Sequence, residues 1–563
     1  MVAVTSAQAS VQGSEVAVHL VCTHAACSGT ARLSGSIAVK TKRDKKTVTY
    51  RKTIVLATGT YKLAAGSAAT VGLRLTPVGQ DAIAGMAPHL LQAMLGVTVK
   101  GVRPATSAVL VVPASSSART LAVGTRFFVP TPASGAVQQE ARLKSRGDLK
   151  DARLVGQMLA TPQAVWFDGA TSRGSTQTPQ QVQSQARRTV REAVLQRSVP
   201  ELVTDNIPGR NCSGGGSPDE SAYNRWISAF ARGIGSSKAV VILEPDSLVN
   251  LPTDCLKYHA PLTSKTYPFT DAQRLAEINF AVSALETDPR VSVYLDAGNS
   301  AWASVGVIAE RLVQAGVQSA QGFVLNISSD QYTTNSTDYG TWVSDCIAYG
   351  TFVKPGKFNN CPNQYWNGGP SGTKIAKLLG AWKGVGLNSY GVWSGSTTKA
   401  DLNISGINTD FAKLLGATVP ITHFVIDTSE NGRGMNDMET YAAAPYHQPA
   451  SVISTLVNGE FCNSPASGLG LAPTAITGDP LVDAYLWLKT PGESAGQCDS
   501  AGGARAWNYE AYKRPGWPTS VTARSLFDPL WSTVDPPAGF WFAEMALGLA
   551  RDAAQSPKAP QNK

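Results

Sequence analysis

Acidic side chains recur in this sequence just after short apolar runs. Asp168 follows 164–167, Glu244 and Asp246 follow 239–243, Asp296 follows 291–295, and Asp427 follows 423–426. Lys489 and Glu493 come after the run 484–488. Asn326 closes the run that begins at Gly322, and a polar stretch, 206–213, ends the run that begins at Glu201. Basic residues are few at these positions, and no histidines share metal-ligand spacing. Such a set suits acid/base work on an uncharged substrate. Trp166, Trp302, Trp342 and Trp487 fall near the same run ends. Carboxyls together with flat apolar faces are what cleavage between sugar rings needs: an acid to protonate the leaving oxygen, and platforms for the rings. Each Asp, taken singly, also reads as a helix N-cap or a strand-end residue.

Positioning these groups is a matter of elements. From about residue 152, apolar strand-like runs alternate with helical stretches: 179–196, 222–233, 271–286, 303–315, 342–348 and a closing 540–554. Repeated βα units imply a parallel sheet. Seven or eight strands favour a closed barrel, whose chemistry sits at the strand C-termini. Residues 1–113 instead alternate with period two, as in Val16, Val18 and Leu20 or Val71, Leu73 and Leu75, between Gly-rich turns. That pattern predicts a small antiparallel β-sandwich. Residues 114–150 read as a linker and 151–556 as the barrel. The fold class expected is therefore α/β, a distorted (β/α) barrel of about seven parallel strands behind an accessory β domain.

The chain has 563 residues, 43% of them hydrophobic and only 16% charged, so it can bury a large core. No apolar run approaches the roughly 18 residues of a membrane span. The net charge is +9. Much of the excess lies at Lys40, Lys42, Arg43, Lys45, Lys46, Arg51 and Lys52, with no nucleic-acid signature beside it, so a solvated hairpin is expected and neither nucleic acid nor membrane is a partner. No G-x-S-x-G elbow follows a strand and no P-loop occurs, which argues against a serine hydrolase and a nucleotide enzyme. No metal and no organic cofactor are expected. The eight cysteines form no CxxC, and their even number reads as four disulfides in a secreted protein. Neighbours in sequence pair as Cys22–Cys27, Cys212–Cys255, Cys346–Cys361 and Cys462–Cys498, one connectivity among many allowed. Residues 1–15 lack an apolar leader core, so a removed signal peptide is expected.

Five segments carry a resemblance: NIPGRNCS at 206–213, LEPDSL at 243–248, VYLDAGNSAW at 293–302, FVIDTSENGRG at 424–434 and DAYLWLKTPGESAG at 483–496. In order and spacing the chain resembles glycoside hydrolase family 6, the inverting cellulases of β-1,4-glucan, from about 155 to 555. The resemblance implies a barrel with a cleft or tunnel and supports the Cys212–Cys255 and Cys462–Cys498 pairs. It implies Asp246 as general acid. It implies that Lys489 and Glu493 bond sugar hydroxyls, that Asp296 and Trp302 lie in the sugar-binding stretch, and that Trp166 lies near the cleaved bond. Ser217 lies where the family often places a serine that holds the attacking water. The partner implied is a β-linked polysaccharide or oligosaccharide, met by a monomer.

Four positions depart from the family pattern. Asn211 replaces the Asp of RDC, Ala495 the second Asp of PGESDG, Asp205 the Tyr before Asn206, and Asn299 the His of DAGHS. All four fall on the sugar-binding face. Three readings follow. Asp205 supplies the missing carboxylate for a retuned hydrolase of cellulose-like or related glycan; or the domain binds polysaccharide without cutting it; or Asn211 and Ala495 are engineered knock-outs of an ordinary cellulase.

Overall fold

The computed structural model describes residues 2–4, 8–12, 15–22, 25–43, 46–65, 68–84, 91–99, 104–112, 121–122, 124–170, 176–258, 262–288, 290–369, 384–396, 398–458, 462–497 and 506–553. The chain divides into two compact units near residue 120.

The first unit is a β domain of eight strands: β1 (Val2–Val4), β2 (Gln8–Gln12), β3 (Glu15–Cys22), β4 (Cys27–Arg43), β5 (Lys46–Leu63), β6 (Ala68–Leu75), β7 (Leu91–Val99) and β8 (Ala105–Val112). Period-two alternation sends Val16, Val18, Leu20, Leu33, Leu73 and Leu95 into one core. Pairing is antiparallel except between β2 and β8, and β3 also pairs with β6, so the sheet closes on itself. Alternation alone does not distinguish such closure from two separately packed layers. β4 pairs with β5 along its whole length but with β7 only over 29–35, so residues 36–43 and 46–52 run on as a two-stranded, basic ribbon. Cys22 and Cys27 join the end of β3 to the start of β4.

The second unit carries seven parallel strands in chain order: β9 (Val165–Phe167), β10 (Glu201–Thr204), β11 (Ala239–Leu243), β12 (Val291–Asp296), β13 (Gly322–Leu325), β14 (His423–Asp427) and β15 (Val482–Leu486). The sheet curls until its first and last strands approach. At that seam Ala164 N–H donates to Trp487 O at 2.9 Å and Trp166 Nε1 to Leu488 O at 2.8 Å. Val203, Val240, Ile242, Tyr294, Val324, Val425 and Leu486 fill the interior.

The helices start where the sequence places caps. Thr178 and Gln181 form a capping box for Pro179–Leu195, while Asp219 caps Glu220–Ile234 and Thr270 caps Asp271–Leu285. One helix is longer than its pattern predicts. Thr333–Ala348 begins with a polar, β-branched half, which propensity disfavours but which packs inward through Asn335, Tyr339 and Gly340. At Gly340 a Cβ would stand 2.3 Å from the Phe424 ring, so only glycine permits this approach.

The stretch 134–150, expected within a linker, belongs to the packed barrel. Helices Ser134–Ser145 and Leu149–Leu159 lie here. Gln139 Nε2 donates to Ala543 O at 2.7 Å and Trp541 Nε1 donates back to Gln139 Oε1 at 2.7 Å. Met158 joins Trp487, Met545 and Leu549 of the closing helix region in one core. A polar outer face concealed that apolar side. Cys212–Cys255 and Cys346–Cys361 are formed and Cys462 is disulfide-bonded. Cys498 lies outside the described residues. Among the described residues no helix is long and apolar enough to cross a membrane.

Candidate active site

The site grows from the bend after β11. Glu244 and Asp246 hold φ of +53° and +62°, a left-handed backbone that non-glycine residues adopt only when their surroundings enforce it. The surroundings are visible. Glu244 is fully buried; its Oε2 accepts the Asn206 and Ile207 N–H groups at 2.8 Å each, and its Oε1 accepts the Tyr223 hydroxyl at 3.0 Å. The Asp246 N–H donates to Asp296 Oδ2 at 2.9 Å, and the same oxygen accepts the Gly298 N–H at 3.2 Å. Glu244 and Asp296 thus fix the bends after β10, β11 and β12 relative to one another.

That bracing leaves the Asp246 carboxyl for chemistry. Burial, and then the negative charge of Asp205, push it up to about 7. Asp296 is pushed up by burial and by Asp246 in turn. Asp205, one residue past β10, is held differently. Arg210 Nη1 pairs with its Oδ2 at 2.7 Å, while its Oδ1 takes no hydrogen bond from the described residues. Burial raises Asp205 to about 6; Arg210 opposes that rise and Asp168 adds to it. Two interacting, half-buried carboxyls therefore differ in environment: Asp205 is paired with a cation, and no cation among the described residues acts on Asp246.

The other residues named from sequence fall as follows. Ser217 is buried and bound to Asn206, its Oγ accepting from Asn206 Nδ2 at 2.9 Å. Asn211 is exposed with φ +54°, beside disulfide-bonded Cys212 on the loop that carries Arg210. Asn299 caps Ala301 N–H at 2.9 Å and reaches Ser329 Oγ at 3.1 Å, joining the loops after β12 and β13. Trp302 is 40% exposed and Trp166 half-buried, so both offer ring surface. Lys489 Nζ donates to Glu493 O at 2.7 Å, and Glu493 is half-buried and raised by burial, with Lys489 opposing. Ala495 is exposed and its N–H is held by Asn463 Oδ1 at 2.8 Å.

Three expectations are corrected. Asn326 is fully buried and spends its side chain on backbone: Nδ2 donates to Asp427 O at 3.0 Å and Gln331 O at 3.2 Å, and Oδ1 accepts Gln331 N–H at 3.1 Å. It shapes the loop and presents nothing to a sugar. Trp342 is buried against Trp393, rings stacked 5.6 Å apart, with Nε1 on Asn408 Oδ1. Trp487 is buried in the core under the closing helix. Position near a strand end did not tell which ring faces outward. Asp427, one of the strand-end carboxylates, is likewise spent on architecture, accepting N–H groups from Ser328, Ser429, Leu488 and Lys489.

Sequence reasoning also passed over residues that matter. Arg210 is one: a cation five residues from the strand-end Asp205 is a signal in itself. Tyr365 was missed: its hydroxyl donates to Ala301 O and Trp302 O, and it stands 52% exposed beside 57%-exposed Trp366. Glu430 was missed as well, buried in the loop after β14.

A curled seven-stranded parallel sheet with carboxyls gathered at its strand ends places this unit in the α/β-barrel class. The chain belongs to the glycosyl hydrolases family 6, whose profile matches residues 122–553. It is 29% identical to endoglucanase 1 of Streptomyces sp. (strain KSM-9) over 64% of this chain and 70% of that one. It is 28% identical to endoglucanase A of Cellulomonas fimi over 63% of this chain and 54% of that one. Among solved structures it is similar to the endoglucanase Cel6 of Mycobacterium tuberculosis, described in complex with methyl-cellobiosyl-4-deoxy-4-thio-β-D-cellobioside. The identity there is 26%, with 77% of this chain and 98% of that chain covered and a TM-score of 0.46.

Proposed function

We propose that the barrel is an inverting hydrolase of β-1,4-glucan or a related β-linked glycan, acting outside the cell. The observation that carries this is the pairing of a near-neutral Asp246 with Asp205 held on Arg210. Asp246, protonated up to about pH 7, gives its proton to the glycosidic oxygen as the bond breaks. Asp205, ionised above about 6, takes a proton from the attacking water through its uncommitted Oδ1. Inversion requires the water to fit between base and sugar, with the two carboxyls roughly 6.5–9.5 Å apart. Asp205 then does the work for which Asn211 and Ala495 have no carboxylate. Trp166 and Trp302 stack the rings on either side, and Lys489 with Glu493 takes hydroxyls.

A panel of β-1,4-, β-1,3-, mixed-linkage and non-glucose polysaccharides tests this, read by new reducing ends and by the anomer first formed. Inverted product from a β-1,4-linked member is expected. A second reading has its own support. Arg210 already neutralises Asp205, and Ala495 leaves its position bare. Binding of a panel member without reducing ends over long incubation selects that reading, a polysaccharide-binding domain.

A further inference from the structure

Glu430 lies three residues beyond the end of β14 and is 6% exposed. Its Oε1 takes no hydrogen bond from the described residues. Around it stand Lys489, Asp427, Glu493 and the N–H of Gly492. Asp427 shows what a structural carboxylate does here, since it accepts four backbone N–H groups. Neighbours on the same loop are also committed: Thr428 Oγ1 donates to Leu471 O at 2.7 Å and Asn431 Nδ2 to Gln331 O at 2.8 Å. The Glu430 oxygen is left over, and a buried acceptor without a donor is unfavourable until something supplies one.

We propose that Glu430 is a saccharide-binding residue, its free oxygen completing with Lys489 and Glu493 a polar wall that takes the hydroxyls of a bound sugar ring. This rests on the carbohydrate reading of the barrel. Burial lifts Glu430 to about 7, with Lys489 opposing and Asp427 and Glu493 adding. Near neutrality the group is present as acid and as carboxylate, so it can donate to a hydroxyl or accept from one.

Cellobiose and laminaribiose are titrated calorimetrically into the Asp246→Asn protein, where cleavage is off, and into the same protein with Glu430→Leu or Glu430→Gln. The parent is expected to bind at least one disaccharide, Glu430→Leu to bind it about tenfold or more weakly, and Glu430→Gln to stay within about threefold. The unfolding midpoint of Glu430→Leu is expected to be no lower than the parent's, since an unpartnered buried carboxyl is gone; Glu430→Ala replaces Leu where Leu does not fold. Equal affinity in the truncated variant, or no binding of either disaccharide by the parent, overturns the proposal. Reducing ends released by the unaltered protein are scored apart, so failure of the hydrolase reading is told from failure of this one.

Discussion

Two half-buried carboxyls that feel each other ionise in sequence, and the cation beside one of them decides the order. Arg210 stands beside Asp205 and does not act on Asp246, which under the proposed mechanism assigns Asp205 as base and Asp246 as acid. The activity–pH curve should then rise through about 6, as Asp205 ionises, and fall beyond about 7, as Asp246 does. Arg210→Met removes the charge that holds Asp205 down, so the acid limb should move to higher pH; an acid limb that stays put in kcat/KM profiles counts against the assignment. Asp246→Asn and Asp205→Asn should each cost about 10²–10⁴-fold in kcat at the optimum, measured by reducing-end release. Full activity in Asp205→Asn refutes the relocated base.

At the scale of elements, the disulfide Cys346–Cys361 links the helix Thr333–Ala348 to the segment that presents Tyr365 and Trp366. Replacing both cysteines with Ser should cost about 3 kcal/mol, from the freedom returned to the unfolded chain across a separation of 15 residues. Denaturant midpoints measure that, and weaker oligosaccharide binding should accompany it through Tyr365 and Trp302. Much of this level was legible. Strand runs and helix caps lie in the local pattern, so β9–β15 and the capped helices fall where apolar runs and Thr or Asp residues place them. What local pattern does not hold is which side of an element is buried. Asn326 looked like a site residue because it ends a strand run, and Trp342 because it follows one, but packing turns both inward, Trp342 from within the helix Thr333–Ala348. The same blindness hid the apolar side of residues 134–150 and the polar half of helix Thr333–Ala348. That Asp205 and Asp246 stand at neighbouring strand ends was legible, because each comes just after an apolar run. Glu430 and Tyr365 gain their meaning only from loops distant in the chain.

At the scale of the whole molecule, several buried carboxyls among the described residues hold their protons to higher pH than free carboxyls do. Burial lifts Asp246, Glu244, Asp338 and Asp345 to about 7, and Glu277 and Asp528 to about 8. Each binds its proton more tightly folded than unfolded, where carboxyls titrate near 4. Between those values the folded state holds more protons, so raising the pH draws the chain toward the unfolded state. The stability these groups contribute should be fullest below about pH 4 and fall as the pH rises to 7 to 8, read as a lower urea midpoint at pH 8 than at pH 5; a higher midpoint at pH 8 contradicts the burial of these carboxyls. The most direct test of the central claim follows the first anomer released from a β-1,4-glucan oligosaccharide by NMR, for the unaltered protein and for Asp246→Asn. The account predicts α-anomer from the unaltered chain and no product above background from the variant. β-Anomer first, or undiminished release by Asp246→Asn, contradicts it.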